Sequence, residues 1–274
     1  MGLFGNLFGL KNQQNINKKN EENEIPKEIN ELKSRDINQS SQYFYNFLER
    51  IKPNSDRILS AYAESKKSNN ERGIKNSTRG LSEGIYTKPS IWYSMGVTID
   101  KDWQVYYRDY IKYYQERINK DLINGSYQFS LKILSIGILL RIEKDVFKKI
   151  SERYVEEGYE DYILDRLIHS QYPSHPISTE LQFPAEIYIQ KLAQILKSSS
   201  VQESETLAKE SLEKYFYTKE NLQTSYDSHK TDFYSGYWAW EIAAIVKILA
   251  LDDSSFKDNQ YYPYDMVHWL NKIK

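Results

Sequence analysis

The chain has 274 residues, a formal net charge of −1, no cysteine and 40% hydrophobic residues. At this length about three quarters of the unfolded surface can be buried, so neither a disulfide nor a structural metal is needed for folding. Near-neutral charge excludes a global basic field for nucleic acid, and the missing cysteine suits a reducing compartment, which makes the cytoplasm the expected location.

Residues 1–25 form the first segment. Its start, MGLFGNLFGL, is too short to span a bilayer, and no other run reaches spanning length. The Gly2 start fails as a myristoylation signal because position six is Asn6 rather than Ser or Thr. From Lys11 to Glu24 the chain is Asn, Gln, Lys and Glu, too polar to offset the entropy of ordering, so 1–25 is expected to be disordered. A role for LFGNLFG at a membrane surface or scaffold is a minor alternative.

Residues 26–171 are expected to form an N-terminal helical region. Helical spacing predicts a helix over Lys27–Ile51, ended by Pro53, and a shorter one over Ser55–Ala63. Glu64–Pro89, rich in Asn, Ser and Gly, reads mostly as loop. Further helices are predicted at Asp100–Asp121, Ser126–Ile142, Lys144–Glu157 and Glu160–Gln171. The segment 172–184, with Pro173, Pro176 and Pro184, reads as a connector. A C-terminal helical domain, 185–274, follows with helices at Ala185–Lys197 and Ser204–Tyr217, a central helix from Phe233 and a last helix from Pro263. The alternation at Ile85–Trp92 is too short and isolated to argue for a sheet, so the fold class is all-α. At an offset of 109 residues the apolar pattern of Phe129–Phe147 repeats over Trp238–Phe256, which suggests two similar halves built around buried helices.

Chemistry-bearing patterns are few. There is no phosphate loop, no nucleophile elbow and no His-x-x-x-His pair among His169, His175, His229 and His268, so no cofactor and no metal is expected. The 24 tyrosines suit semi-buried packing and protein interfaces, and a coding bias toward Tyr, Asn, Lys and Ile explains most of them. The acids are uneven: residues 201–274 hold 8 Lys or Arg against 12 Asp or Glu, and residues 1–90 hold 15 against 11.

The most informative stretch is Gly236–Trp269. Tyr237, Trp238, Trp240, Ile242, Ile245, Ile248, Leu249 and Leu251 leave almost no polar face, so this helix belongs at the centre of a core. Glu241 interrupts it and needs a hydrogen-bond or cationic partner there; a nearby Tyr, His or Arg is expected to pair with it and set helix register. Asp252 and Asp253 end the helix, and Pro263 with Asp265 suits a helix start. The strings Gly236-Tyr237-Trp238-Ala239, Asp252-Asp253-Ser254-Ser255 and Tyr261-Tyr262-Pro263-Tyr264-Asp265, in this order, resemble the C-terminal domain of the PoNi-type immunity proteins. The resemblance implies an all-helical inhibitor without catalysis of its own, whose partner is a PoNe-type antibacterial DNase. On that reading Asp252, Asp253, Asp258 and Asp265 are candidate acids for a basic toxin surface, with Tyr261 and Tyr262 as interface anchors. Tyr237, Trp238, Trp240, Glu241 and Pro263 are assigned to structure. No direct contact with nucleic acid is expected, and a homo-oligomer stays open. The alternative is a helical metal-dependent hydrolase using the same carboxylates.

Overall fold

The computed structural model describes residues 26–119 and 127–272, so the N-terminal segment 1–25 lies outside the described residues. Twelve α-helices and no strand are present among the described residues. They are α1 (Lys27–Asn30), α2 (Ser41–Lys67), α3 (Glu71–Met95), α4 (Lys101–Arg117), α5 (Tyr127–Leu139), α6 (Lys144–Glu156), α7 (Tyr162–Gln171), α8 (Ile187–Lys197), α9 (Val201–Glu210), α10 (Lys219–Leu222), α11 (Trp240–Leu249) and α12 (Tyr264–His268). The all-α class read from periodicity is the observed one.

Several boundaries differ from the sequence expectation, each for a local reason. Lys27–Ile51 is not one helix. After α1 the chain turns where Asp36 Oδ1 accepts from the backbone N–H groups of Asn38 and Gln39, a side-chain alternative to helical bonding. Ser40 then caps α2 by accepting from Tyr43 N. Pro53 does not end that helix. It stands on the exposed side of α2, which continues to Lys67 because its other face is packed along α3.

The stretch read as loop, Glu64–Pro89, is mostly helix, shared between α2 and α3. Its buried face carries Ser77, Thr78 and Ser82 beside Leu81 and Ile85. Thr78 and Ser82 donate to carbonyls one turn back, Lys75 O and Arg79 O, at 3.0 and 2.9 Å. These hydroxyls satisfy themselves within the helix and can be buried like small apolar groups. A polar composition therefore hides a packing face.

Short connections make α2, α3 and α4 successive antiparallel neighbours. Helices α5, α7, α8, α9 and α11 gather around α5 and α11, which pack on each other. These two helices share their exits. Arg141 (φ 52°) and Ala250 (φ 51°) are both left-handed, and Ile142 N donates to Gly137 O as Leu251 N donates to Val246 O, at 3.0 and 3.1 Å. Both are Schellman-type closures, and they fall at the offset of 109 residues seen in the apolar pattern.

Segment 172–184 is held against α7. Asp161 caps α7 by accepting from Ile163 N and Leu164 N, and its other oxygen accepts from Gln182 N. Asp165, buried in the same helix, accepts from Ser178 N and lies 3.0 Å from His175 Nε2, while His175 Nδ1 lies 2.8 Å from Ser151 Oγ. All three side chains are buried.

Candidate functional site

The expected central helix starts later than Phe233, at Trp240. Gly236 prevents an earlier start: its φ is +106°, and a Cβ there would lie 2.1 Å from Ser94 Oγ. The residues before α11 form no helix, and hydrogen bonds to α3 and to Tyr261 tie this junction down. Trp238 Nε1 donates to Ser94 Oγ at 2.8 Å, Trp240 Nε1 donates to Ser90 Oγ at 3.2 Å, and Ala239 N donates to Tyr261 O at 2.9 Å. Tyr93 of α3 meets both indoles edge to face, at 4.6 and 5.4 Å between centroids. The C-terminal motif is thus built onto α3, far away in sequence.

The six residues predicted to contact a partner do not form one exposed cluster. Asp252 and Asp258 are on the surface. Asp252 Oδ1 accepts from Ser254 N at 2.9 Å, and these hydrogen bonds to Ser254 hold its carboxyl below the usual range. Asp253 is 6% exposed and Tyr262 3% exposed. Tyr262 Oη donates to Asp253 Oδ2 at 2.8 Å, and His268 Nε2 lies 2.8 Å from the same oxygen. Burial beside that carboxylate pushes the Tyr262 phenol well up. Asp253 and Tyr262 therefore hold the turn after α11 against α12, with their polar atoms turned inward.

Tyr261 is half-buried, stacked on Tyr217 at 5.1 Å with an interplanar angle of 11°. Asp265 accepts from Arg35 Nε at 2.7 Å, and the Arg35 guanidinium lies 4.6 Å from the Tyr93 ring centroid while donating to Tyr93 O and Val97 O. This ion pair joins the turn after α1 to the start of α12. Pro263 is buried and immediately precedes α12.

Glu241 borders an aromatic-lined cleft of ≈ 870 Å³ between α5, α11 and the segment 221–237. Ten of its 24 lining residues are aromatic, and its charged lining residues are Lys132, Glu186 and Glu241. Glu241 is 2% exposed, and Tyr188 Oη donates to its Oε1 at 2.6 Å. Oε2 has no hydrogen-bond partner among the described residues. Burial pushes this carboxyl up, against the opposing pull of Tyr188 and of the Lys132 charge. Lys132 Nζ sits 5.4 Å from the Tyr86 ring centroid, and burial lowers its pKa. Among the described residues no group of three or more His, Cys, Asp or Glu side chains converges as a metal set, and no helix is long and apolar enough to cross a membrane.

Lys132, Tyr188 and the cleft itself were missed by sequence reasoning. One signal was available: Lys132 is the sole charged residue in α5, YQFSLKILSIGIL, as Glu241 is nearly alone in α11. Two lone opposite charges on two buried helices are candidates to face one another.

A family model described as PoNe immunity protein (PoNi), N-terminal, matches residues 27–152, and one described as PoNe immunity proteins (PoNi), C-terminal, matches residues 159–266. The first match ends inside α6, and the second begins in the turn before α7. The crystal structure of protein PA2201 from Pseudomonas aeruginosa shares the fold, with a TM-score of 0.54 at 16% identity over 89% of this chain and 92% of that one. No curated protein matches the chain.

Proposed function

Since the chain belongs to the PoNi family of immunity proteins, we propose that it binds a cognate PoNe-type antibacterial DNase and neutralises it by occlusion, protecting the producing cell and its kin. The observation that carries this reading is the pair of family matches, in order, over both halves of the chain. The protein acts as a stoichiometric inhibitor without turnover, and it works in the cytoplasm, where the DNA it protects lies.

A DNase must present a basic surface to hold its substrate, so an inhibitor gains association rate and selectivity from acids facing that surface. The exposed acids Asp252 and Asp258 serve this role, with the half-buried Tyr261 as an aromatic anchor. Asp253, Tyr262 and Asp265 contribute by holding the turn that presents them.

The test is co-expression with the DNase from the neighbouring reading frame, followed by pull-down and stopped-flow association. Rescue of growth with a stable complex is expected, and no rescue by a folded protein overturns the reading. D252N/D258N should slow association several-fold and flatten its salt dependence. Unchanged association kinetics would remove the two acids from the interface.

A further inference from the structure

The cleft beside α11 contains a buried acid with unused capacity. Glu241 Oε2 is enclosed and has no hydrogen-bond partner among the described residues, while Oε1 accepts from Tyr188. In either protonation state that atom is unmatched: as a carboxylate oxygen it finds no donor, and as a hydroxyl it finds no acceptor. A buried polar atom left in this condition carries a desolvation penalty that a bound ligand would relieve.

The surroundings define the ligand's chemistry. Tyr86, Phe129, Phe216, Trp238 and Trp240 line the same cleft as the acid, and aromatic ring faces attract a desolvated cation. Two acids against one lysine leave the charged lining at net −1. Lys132 opposes the acid's charge from a distance but forms no ion pair with it, its ammonium lying 5.4 Å from the Tyr86 ring centroid. At the rim, Phe233 is 77% exposed, the kind of aromatic surface that a protein partner covers.

We propose that this cleft is a socket for a basic side chain, arginine or lysine, carried on a loop of the protein partner, with Glu241 Oε2 as its acceptor and the ring walls around its charge. The proposal rests on the immunity reading for the identity of the partner. It adds a second contact, separate from the surface acids at Asp252 and Asp258, in which a positive side chain that would otherwise serve DNA binding is held inside the inhibitor.

The experiment measures toxin affinity by calorimetry for the full chain, E241Q and K132M, with agmatine as a free guanidinium probe followed by the fluorescence of the cleft tryptophans. E241Q keeps the shape and the Tyr188 bond, and it should weaken toxin binding about 10- to 100-fold, the loss expected for one charge-assisted hydrogen bond. K132M removes the competing cation and should tighten binding, an effect that a merely structural lysine would not produce. Agmatine should bind saturably to the wild type, compete with the toxin, and lose its effect in E241Q. Wild-type affinity in a folded E241Q, or agmatine that binds without competing, overturns the proposal. If the wild type forms no toxin complex, the immunity reading fails instead; the agmatine titration then decides the cation site alone, and absence of a saturable signal refutes it.

Discussion

The two ends of α11 carry opposite charges and use them differently. Glu241 in the first turn and Lys247 in the last both suit the helix dipole, and each borders a hollow. Glu241 lines the aromatic-rich cleft with one oxygen unmatched among the described residues. Lys247 borders a second hollow of ≈ 660 Å³, with Arg141, Lys144 and Arg166 around it, yet its ammonium donates to Leu139 O and Val267 O, both at 3.2 Å. The lysine ties the ends of α5 and α12 to α11, so its charge is used within the fold. The acid is only half used. Burial of a charge alone does not separate the two ends; Lys247 uses its hydrogen bonds within the fold, and Glu241 keeps one oxygen unmatched among the described residues.

The largest expected effect separates the ends by packing. Trp240 is fully buried against α3, whereas Leu249 is partly exposed near the basic hollow. Trp240→Ala should destabilise by about 3–5 kcal/mol, and Leu249→Ala by roughly half of that or less, read from urea denaturation midpoints at constant slope. Equal losses would mean that the C-terminal end is as much core as the N-terminal end, and the comparison would collapse.

The legibility of these features from sequence differs for physical reasons. The all-α class and the burial of α11 follow from apolar spacing, which acts locally, whereas the helix stops at Leu249, ahead of the expected Asp252 and Asp253, because Ala250 takes the left-handed turn. The length of α3 was hidden because serines and threonines satisfied within a helix look the same as loop residues in sequence. The late start of α11 was hidden because it depends on Ser94 and Tyr93, more than a hundred residues away. The same holds for the acids. Asp252, Asp253, Asp258 and Asp265 lie close together along the chain, but a tyrosine, a histidine and Arg35 of the N-terminal half engage two of them. Chain proximity predicted a cluster, and tertiary partners divided it.

The next effect sharpens the contrast at Glu241. Burial raises its pKa in the folded state, so the folded protein holds that proton more tightly than the unfolded chain. Stability from this group is fully present below the ordinary glutamate value and is lost as pH rises through the elevated one. E241Q mimics the neutral acid, so it should be more stable than the wild type at neutral pH, with the advantage shrinking as pH falls toward the ordinary glutamate range. Thermal melts across that range check it. A variant that is stabilised and yet binds the toxin less well would show that the acid is kept for recognition at the expense of stability; a destabilised E241Q at neutral pH would return Glu241 to a purely structural role.

The smallest effect concerns the other end. Burial, reinforced by the Arg141 charge, lowers the Lys247 ammonium to about 8 from 10.5. Between those values the unfolded chain holds a proton that the folded protein has released, so this group makes stability rise with pH through that window. Buried tyrosines act in the opposite sense at higher pH: Tyr114, pushed up to about 12 by burial, keeps its proton in the folded state after the unfolded chain has lost it. The readable quantity is therefore the difference between wild type and Lys247→Met, measured by denaturant unfolding from pH 7 to 10. The wild-type curve should climb relative to the variant from about pH 8 upward. Parallel curves would mean that the two carbonyls and nearby water solvate the ammonium as well as bulk water does, leaving Glu241 as the one end of α11 whose charge is held against its solvation preference.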